Sequence, residues 1–411
     1  MSKTQPSQKK KVAVLPGGKT PARKNLAAIK VHGLLRAYES HCMKMGSCVS
    51  TVLREDFSRC IDIQKPLTKI TLFFPECSTA ERASVSVCPL LCAVRDERYT
   101  HVKELRLWDL PIKHEDMADL CLLLEHKGRT VYPLTTLELL DCRLDHWALT
   151  RLGRAVALSS ITTLSLDYTP IELEGLKGLL SGLEWSSHVL SLSLCYCGLG
   201  PWSGSPLASL VSRSAVRHLY INGNGLQRGG ATELLQPLAE HSEQTAMTQQ
   251  TTHPTDTANE NSHQGLSQDS REKRVKGKGQ KKRRQRVKRK SAGAVATGPW
   301  LEKLHMLDNA IDEAGPGATA AGVDLINIIC VLVKHSSHLL ELDLGENHVG
   351  EAGGKLLLEA LIERRKAKHP PVKIRVSTRM SPSTFSAILK SSKELKSVKR
   401  KRPSRRKTKK N

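Results

Sequence analysis

The amino-acid sequence predicts an α/β solenoid, in which units of one short strand and one helix stack side by side in chain order. A template of eleven residues, apolar at its first, fourth, sixth and eleventh positions, recurs seven times from residue 102 onward. Three of the intervals between copies are 27 or 28 residues long. Each copy contains the alternating apolar pattern of a strand, and residues at helical spacing follow it. Because one such unit cannot bury its apolar face alone, neighbouring units must share a core.

The template supplies the predicted strands in order. The copies are VKELRLWDLPI from Val102, LTTLELLDCRL from Leu134, ITTLSLDYTPI from Ile161, VLSLSLCYCGL from Val189, VRHLYINGNGL from Val216, LEKLHMLDNAI from Leu301 and LLELDLGENHV from Leu339. A degenerate earlier copy begins at Leu67, and a weaker strand begins at Val372. Parallel strands need a crossover between them, which the helical segments provide.

The ninth template position is expected to satisfy backbone groups in the turn that follows each strand. Its polar or small occupants are Cys142, Thr169, Cys197, Asn224, Asn309 and Asn347. An asparagine side chain suits this task because it both donates and accepts hydrogen bonds. Cysteine and threonine are smaller substitutes.

These copies resemble leucine-rich repeats of the ribonuclease-inhibitor type, over roughly residues 67–240 and 299–385. The resemblance implies a curved horseshoe with parallel strands on its concave side and helices outside. The layout is also similar to that of ciliary leucine-rich repeat proteins with a lysine-rich insertion before their last repeats. The same repeat type occurs in Ran GTPase-activating proteins, which end in an acidic tail, whereas this chain ends in a basic one.

Composition and patterning divide the chain into six segments. We predict a disordered basic arm (1–24), an N-terminal cap with the degenerate repeat (25–100), leucine-rich repeats (101–240), a disordered basic insertion (241–298), C-terminal repeats and cap (299–391) and a disordered basic tail (392–411). Low hydrophobicity and high charge predict the disorder. Helical spacing predicts cap helices within 25–66, and Ser381 followed by Pro382 predicts a final helix. GPGATAAG at 315–322 is expected to be a loop.

The net charge of +24 is concentrated in three stretches. Residues 1–30, 271–290 and 390–410 together carry +31, which leaves −7 for the rest of the chain. The repeats are therefore mildly acidic, and the excess positive charge lies in separate stretches of the chain, which we call the basic arms.

Other features exclude classes of protein. No run of eighteen apolar residues predicts a membrane span. The start, MSKTQPSQKKK, has no apolar segment typical of a secretory signal. Together with eleven cysteines, this favours a reducing compartment, and we expect an intracellular location in the nucleus, cytoplasm or cilium.

No motif predicts catalysis, a cofactor or a metal site. AVLPGGKT at 13–20 matches a relaxed phosphate loop, but Pro21 removes the next amide and no acidic strand follows to hold magnesium. The cysteine pairs Cys42/Cys48 and Cys88/Cys92 are six and four residues apart, and no C-x-x-C pair occurs. We therefore predict a protein that is not an enzyme and has no cofactor.

The fifth, seventh and eighth template positions are expected to point outward from the strands on the concave face. The residues predicted there to bind a partner are Trp108, Asp109, Glu138, Asp141, Asp167, Tyr168, Tyr196, Tyr220, Asn222, Asp308, Asp343 and Glu346. Tyrosine and tryptophan favour interfaces, and clustered carboxylates attract basic groups. The face is predicted to bind a protein partner through a basic peptide or helix. Ordinary solvated strand surface is the alternative.

The basic stretches are predicted to bind a polyanion. Their candidate residues are Lys281, Lys282, Arg283, Arg284, Arg286, Lys288, Arg289, Lys290, Lys399, Arg400, Lys401, Arg402, Arg405, Arg406 and Lys407. Such clusters resemble nuclear localisation signals, and they would also fit nucleic acid without sequence preference, the acidic tails of tubulin or an anionic membrane surface. Neither run contains an aromatic residue for base stacking, which disfavours sequence-specific RNA reading.

The function predicted from these features is a non-catalytic scaffold for protein–protein interaction. Two alternatives remain open: a nuclear or nucleolar RNA-associated protein that works mainly through its basic arms, and a regulator of a small GTPase. We also hypothesise that residues 271–290 or 390–410 fold back over the acidic face. Cross-linking that finds no lysine of these stretches near Asp141, Asp167 or Asp343 would reject that hypothesis.

Overall fold

Nine strands form one parallel sheet whose order, β1 to β9, is the order of the strands in the chain. The computed structural model describes residues 21–73, 85–125, 130–184, 186–251, 298–312 and 325–394. The strands are β1 (Lys69–Phe73), β2 (Glu104–Trp108), β3 (Thr136–Leu140), β4 (Thr163–Ser165), β5 (Ser191–Ser193), β6 (His218–Tyr220), β7 (Lys303–His305), β8 (Glu341–Leu344) and β9 (Lys373–Val376). The α/β class predicted from the sequence is confirmed.

Within the described ranges, eleven α-helices accompany the strands. They are α1 (Pro21–Met45), α2 (Thr51–Asp62), α3 (Cys88–Asp96), α4 (His114–Leu124), α5 (His146–Ala157), α6 (Leu173–Leu183), α7 (Gly204–Arg213), α8 (Gln227–Thr251), α9 (Leu325–His335), α10 (Gly350–Lys366) and α11 (Pro382–Glu394). From α3 onward each helix packs against the next one. None of the described helices combines the length and the apolar character that crossing a membrane requires.

The strands pair at equivalent template positions. The fourth-position residues form one row across the sheet: Ile70, Leu105, Leu137, Leu164, Leu192, Leu219, Leu304, Leu342 and Ile374. All are buried and belong to one core that runs through every unit. A single-residue slip would turn such a row to the other face, so the apolar pattern sets the register. Both the degenerate copy at Leu67 and the weaker one at Val372 contribute strands.

The ninth-position side chains link successive units. Asn309 is fully buried, and its Oδ1 accepts the backbone N–H groups of Asn224 at 3.2 Å and Leu226 at 3.3 Å. Its Nδ2 donates to the carbonyls of Ile221 at 2.9 Å and Leu307 at 3.1 Å. One amide thus satisfies four backbone groups of two neighbouring units.

The same link recurs along the array with other side chains. Asn347 accepts the N–H of Asn309 at 2.9 Å, and Asn224 accepts that of Cys197 at 2.9 Å. Thr169 accepts the N–H of Cys142 and donates to a carbonyl of the preceding unit, and the thiols of Cys142 and Cys197 also donate to carbonyls of their preceding units. Burial raises the pKa of Cys197 to about 12, which keeps its donor proton in place. The role predicted for the ninth position is confirmed.

The long insertion does not interrupt the sheet. His218, Leu219 and Tyr220 of β6 pair directly with Lys303, Leu304 and His305 of β7. The helix α8 packs between α7 and α9, as the crossover helix of an ordinary unit would. Near the start of β7, Pro299 and Leu301 line the same small cavity as Leu238 and Thr245 of α8. The described chain therefore ends after α8 and resumes before β7 with the two neighbouring strands paired.

Three boundaries differ from the sequence prediction, since α11 also continues to Glu394, three residues into the predicted tail. The helix α1 begins at Pro21, inside the arm predicted to end at residue 24, and α8 continues to Thr251, eleven residues into the predicted insertion. The phosphate-loop match at 13–20, the loop at 315–322 and most of the predicted arm, insertion and tail lie outside the described residues.

Helices lie against the first and last strands. The helix α2 packs on β1, and Ser50 begins it by accepting the N–H of Leu53 at 3.3 Å. At the other end α11 packs on β9. The predicted cap of α11 is confirmed, since the Ser381 hydroxyl accepts the N–H of Thr384 at 3.2 Å and Pro382 follows it.

One carboxylate joins α10 to this last helix. Glu351 accepts the N–H of Ser381 at 2.7 Å and the hydroxyl of Thr384 at 2.8 Å. The Ser381 amide and the Thr384 hydroxyl lower the pKa of Glu351 from 4.5 to about 2. A carboxyl whose pKa is lower in the folded state stabilises that state above its unfolded pKa, and this contribution is lost as the pH falls through the folded pKa.

We therefore expect Glu351→Gln to lower the free energy of unfolding at pH 7, and the difference from the wild type to disappear between about pH 4.5 and pH 2. Urea unfolding of both proteins across this range measures it. Glu359→Gln, an exposed change on the same helix, is the matched control. A wild-type advantage that stays constant down to pH 2 would contradict the assignment.

Candidate functional site

The side of the sheet that faces away from the helices is formed by odd template positions. In β2 and β3 the side chains alternate between buried residues, which join the core, and half-buried residues, which belong to this open face. Of the predicted site residues, Trp108, Glu138, Tyr220 and Asp343 lie on it as strand residues. The others lie in the turns that directly follow the strands.

Each of the seven turns from β2 to β8 places its eighth template position in the left-handed region. The residues with φ between 50° and 65° are Asp109, Asp141, Tyr168, Tyr196, Gly223, Asp308 and Glu346. From Asp109 to Asp308, each donates its N–H to a carbonyl at the seventh position of the next unit, over 2.7–3.0 Å. The turns are thus in register, and the seven residues form one row along the carboxyl ends of the strands. We call this row the acidic-tyrosine ledge.

Two stacked tyrosines occupy the middle of the ledge. The rings of Tyr168 and Tyr196 are nearly parallel, with an angle of 3° between their planes and 5.2 Å between their centroids. Both are exposed, at 56% and 41%. The Tyr196 ring also covers Gly223, where an added Cβ would lie 2.2 Å from the ring. Glycine at this position therefore leaves room for the stack.

Carboxylates flank the tyrosines on both sides. Asp109 and Asp141 precede them in the row, and Asp308 and Glu346 follow Gly223. All four side chains are exposed. Among the residues that the structure describes, none of the four forms an ion pair. The ledge is a negatively charged strip with an aromatic centre.

Two of the predicted site residues, Asp167 and Asn222, accept hydrogen bonds from the next unit. Asp167 accepts the hydroxyl of Ser193 at 2.6 Å and the N–H of Cys195 at 2.8 Å. Asn222 accepts the N–H of Leu307 at 2.9 Å. Both occupy the seventh template position and hold the next turn in place, so a partner would compete with these bonds.

Glu138 and Tyr220, on the strands of the face, also have side-chain partners within the protein. Glu138 lies 3.3 Å from the guanidinium of Arg106. Tyr220 makes an edge-to-face contact with His305, with 4.8 Å between ring centroids. Trp108 is half-buried. Burial lowers the pKa of His305, so its imidazole is neutral at pH 7.

Asp343 differs most from the prediction, which placed it on an open surface. It is only 3% exposed, because Arg375 of β9 covers it with a 2.9 Å ion pair and its other oxygen accepts the N–H of Gly345 at 3.0 Å. Beside it Glu341 pairs with Lys373. The face is therefore neutralised towards β9, and Asp343 is not available to a partner without breaking the pair.

The cations that produce this neutral end were missed in the sequence analysis. Lys373 and Arg375 lie on the strand of weak pattern at Val372, and Glu341 occupies the third template position, outside the fifth, seventh and eighth positions that predict the face. The fifteen predicted polyanion-binding residues, from Lys281 to Lys407, lie outside the described residues. No protein-family model matches the chain, and a search of curated proteins found no match either.

Proposed function

We propose that this protein is a leucine-rich repeat scaffold without catalytic activity, and that its acidic-tyrosine ledge binds a basic segment of a protein partner. The family assignment is supported by the recurring template, the strand order and the ninth-position links. The curved horseshoe, with the ledge along one rim of its concave side, is part of the same proposal. The proposal that the protein binds a basic segment rests on the arrangement of the residues in the ledge.

The choice of residues on the ledge supports binding. A left-handed conformation costs an ordinary residue about 1–2 kcal/mol, and only glycine, asparagine and aspartate adopt it readily. Tyr168 and Tyr196 adopt it with φ of 61° and 56° although their rings remain exposed. Burial in the core does not account for these two aromatic residues. Strained and exposed side chains of this kind are typical of functional surfaces.

Arginine is the partner group that fits this surface best. Its guanidinium stacks on an aromatic face, which is worth about 0.5–1 kcal/mol at an exposed site. It also forms charge-assisted hydrogen bonds with carboxylates, such as those of Asp141 and Asp308 beside the stack. A basic segment lying along the row would therefore contact tyrosine in its middle and carboxylates on both sides.

Replacing both tyrosines, in Tyr168→Ala/Tyr196→Ala, is expected to weaken binding of a short oligo-arginine peptide about tenfold, because two stacking contacts are lost. Fluorescence anisotropy of the labelled peptide with the full-length protein measures the affinity. Asp141→Asn/Asp308→Asn should weaken binding as well and reduce its dependence on salt.

Matched controls separate the ledge from the rest of the surface. Trp202→Ala removes an aromatic residue that is 73% exposed on the helix side, and Glu174→Gln removes an exposed carboxylate on α6. Both should bind the peptide like the wild type. If the tyrosine and aspartate variants also keep wild-type affinity, the ledge is not the binding surface.

The basic arms are the second part of the proposal, as anchors to a polyanion. A nuclear or ciliary location, the RNA-associated role and the regulation of a GTPase stay predictions from the sequence. A full-length variant with every Lys and Arg of 271–290 and 392–411 changed to Gln tests the arms. We expect it to lose salt-sensitive retention on heparin and to keep the ledge affinity.

A further inference from the structure

Three metal-ligating side chains meet between α3 and α4, on the helix side and away from the ledge. Cys88 and Cys92 are one helical turn apart on α3, and their sulfurs are 3.9 Å apart. Asp119 of α4 brings Oδ2 to 3.9 Å from the Cys88 sulfur. All three ligand atoms lie within 4.8 Å of one another. All three residues are half-buried.

These distances fit a tetrahedral zinc centre. With Zn–S of about 2.3 Å and Zn–O of about 2.0 Å, tetrahedral angles place two sulfurs about 3.8 Å apart and a sulfur and an oxygen about 3.5 Å apart. The observed distance between the sulfurs exceeds this value by about 0.1 Å and that from the Cys88 sulfur to Oδ2 by about 0.4 Å, while the Cys92 sulfur lies within 4.8 Å of the carboxylate. Small rotations of the side chains would close that difference.

Arg95 provides the outer contacts that such a centre needs. Its Nη1 donates to Oδ1 of Asp119 at 2.8 Å, which leaves Oδ2 directed at the sulfurs. Its Nη2 lies 3.7 Å from the Cys92 sulfur. Hydrogen bonds of this kind orient metal ligands and increase the affinity for the ion. Two thiolates and one carboxylate carry −3, so Zn²⁺ and one guanidinium make the cluster neutral.

We propose that Cys88, Cys92 and Asp119 bind one zinc ion, with water as the fourth ligand. Two thiolates select a soft or borderline metal over Mg²⁺ or Ca²⁺, and zinc is the common ion with this ligand set. The ion would connect α3 to α4 and so hold the N-terminal cap onto the first regular repeats. The sequence predicted no metal site because the third ligand lies 31 residues from Cys88.

Titration of the reduced, metal-free full-length protein with Co²⁺ tests the proposal, because cobalt–thiolate bonds give an intense charge-transfer band. We expect one Co²⁺ per chain to produce the band and Zn²⁺ to displace it. Cys88→Ser/Cys92→Ser should abolish the band, and Asp119→Asn should weaken Co²⁺ binding. Cys60→Ser, a change of a half-buried cysteine on α2, should have no effect.

A ligand exchange keeps the test informative if serine variants fold poorly. Cys92→His retains three metal ligands, so it should still bind Co²⁺, with about half the charge-transfer intensity because one thiolate remains. Thermal unfolding adds a second readout, since zinc should raise Tm of the wild type and not that of Cys88→Ser/Cys92→Ser. A band that survives in the folded double-serine variant, or no band in the wild type, would overturn the proposal.

Discussion

Replacing Arg364 with alanine is expected to destabilise the C-terminal repeats by about 4 kcal/mol. The side chain is 1% exposed, and it faces backbone carbonyls in place of a carboxylate. Its guanidinium donates to the carbonyls of Val333 and Ser336 at 2.7 Å each, Leu339 at 3.0 Å and Pro370 at 2.6 Å. Burial lowers the pKa of Arg364 to about 10, so the group remains charged at pH 7.

The size of the effect follows from what the substitution leaves behind. Four carbonyls at the end of α9 and in the following loops would lose their donor, and each unsatisfied buried group costs about 1–3 kcal/mol. Removal of the long side chain also leaves a cavity. Partial relaxation and entry of water reduce the sum, which gives the value above.

Urea unfolding followed by circular dichroism measures this loss, and hydrogen exchange shows whether α9 and α10 lose protection first. Arg364→Lys should recover only part of the stability, because one ammonium group cannot reach four carbonyls in the same geometry. Arg379→Ala, an exposed change nearby, is the control. If the free energy of unfolding of Arg364→Ala lies within about 1 kcal/mol of that of the wild type, the hydrogen bonds from Arg364 to the four carbonyls are not needed for stability.

Replacing Asn309 with alanine should cost about 3–5 kcal/mol, because four backbone groups of two repeats lose their partner at once. Asn309→Thr should cost less, since Thr169 makes one accepting and one donating bond at the same template position. The neighbouring change Asp308→Asn leaves the link intact and should be close to neutral.

Chemical denaturation of the three variants ranks these effects. Because each repeat contacts only its neighbours, the loss should appear first in β6 and β7, where hydrogen exchange can detect it. Equal stabilities for Asn309→Ala and Asp308→Asn would mean that water replaces the asparagine amide. That result would contradict the conclusion that the ninth-position side chain stabilises the contact between neighbouring units.

Much of this fold follows from local patterns in the sequence. Period-two apolar residues predict the strands, and the ninth template residue predicts the links between units, because both depend only on a unit and its neighbour. The helix ends at Pro21, Thr251 and Glu394 differ from the prediction because low hydrophobicity does not by itself exclude a helix. Glutamate, glutamine, alanine and methionine are good helix formers even where they bury little.

The candidate site was harder to predict. The template placed Tyr168 and Tyr196 on the surface, but the common left-handed turn that aligns them with Asp141 and Asp308 is a property of the stacked turns. The covering of Asp343 depends on Arg375, which lies 32 residues later on a strand of weak pattern. Spacing within one segment carries no information about such contacts between segments.

The acidic-tyrosine ledge and the two ends of the insertion lie at opposite ends of the strands. The ledge follows the strands at their carboxyl ends, whereas the chain departs after α8 and re-enters just before β7, at the amino ends. A partner bound to the ledge, as proposed, would therefore lie at the opposite end of the strands from Thr251 and Gly298, between which the insertion runs. If the ledge binds a basic segment and residues 271–290 bind a polyanion, as we propose, the two partners need not compete for the same end of the strands.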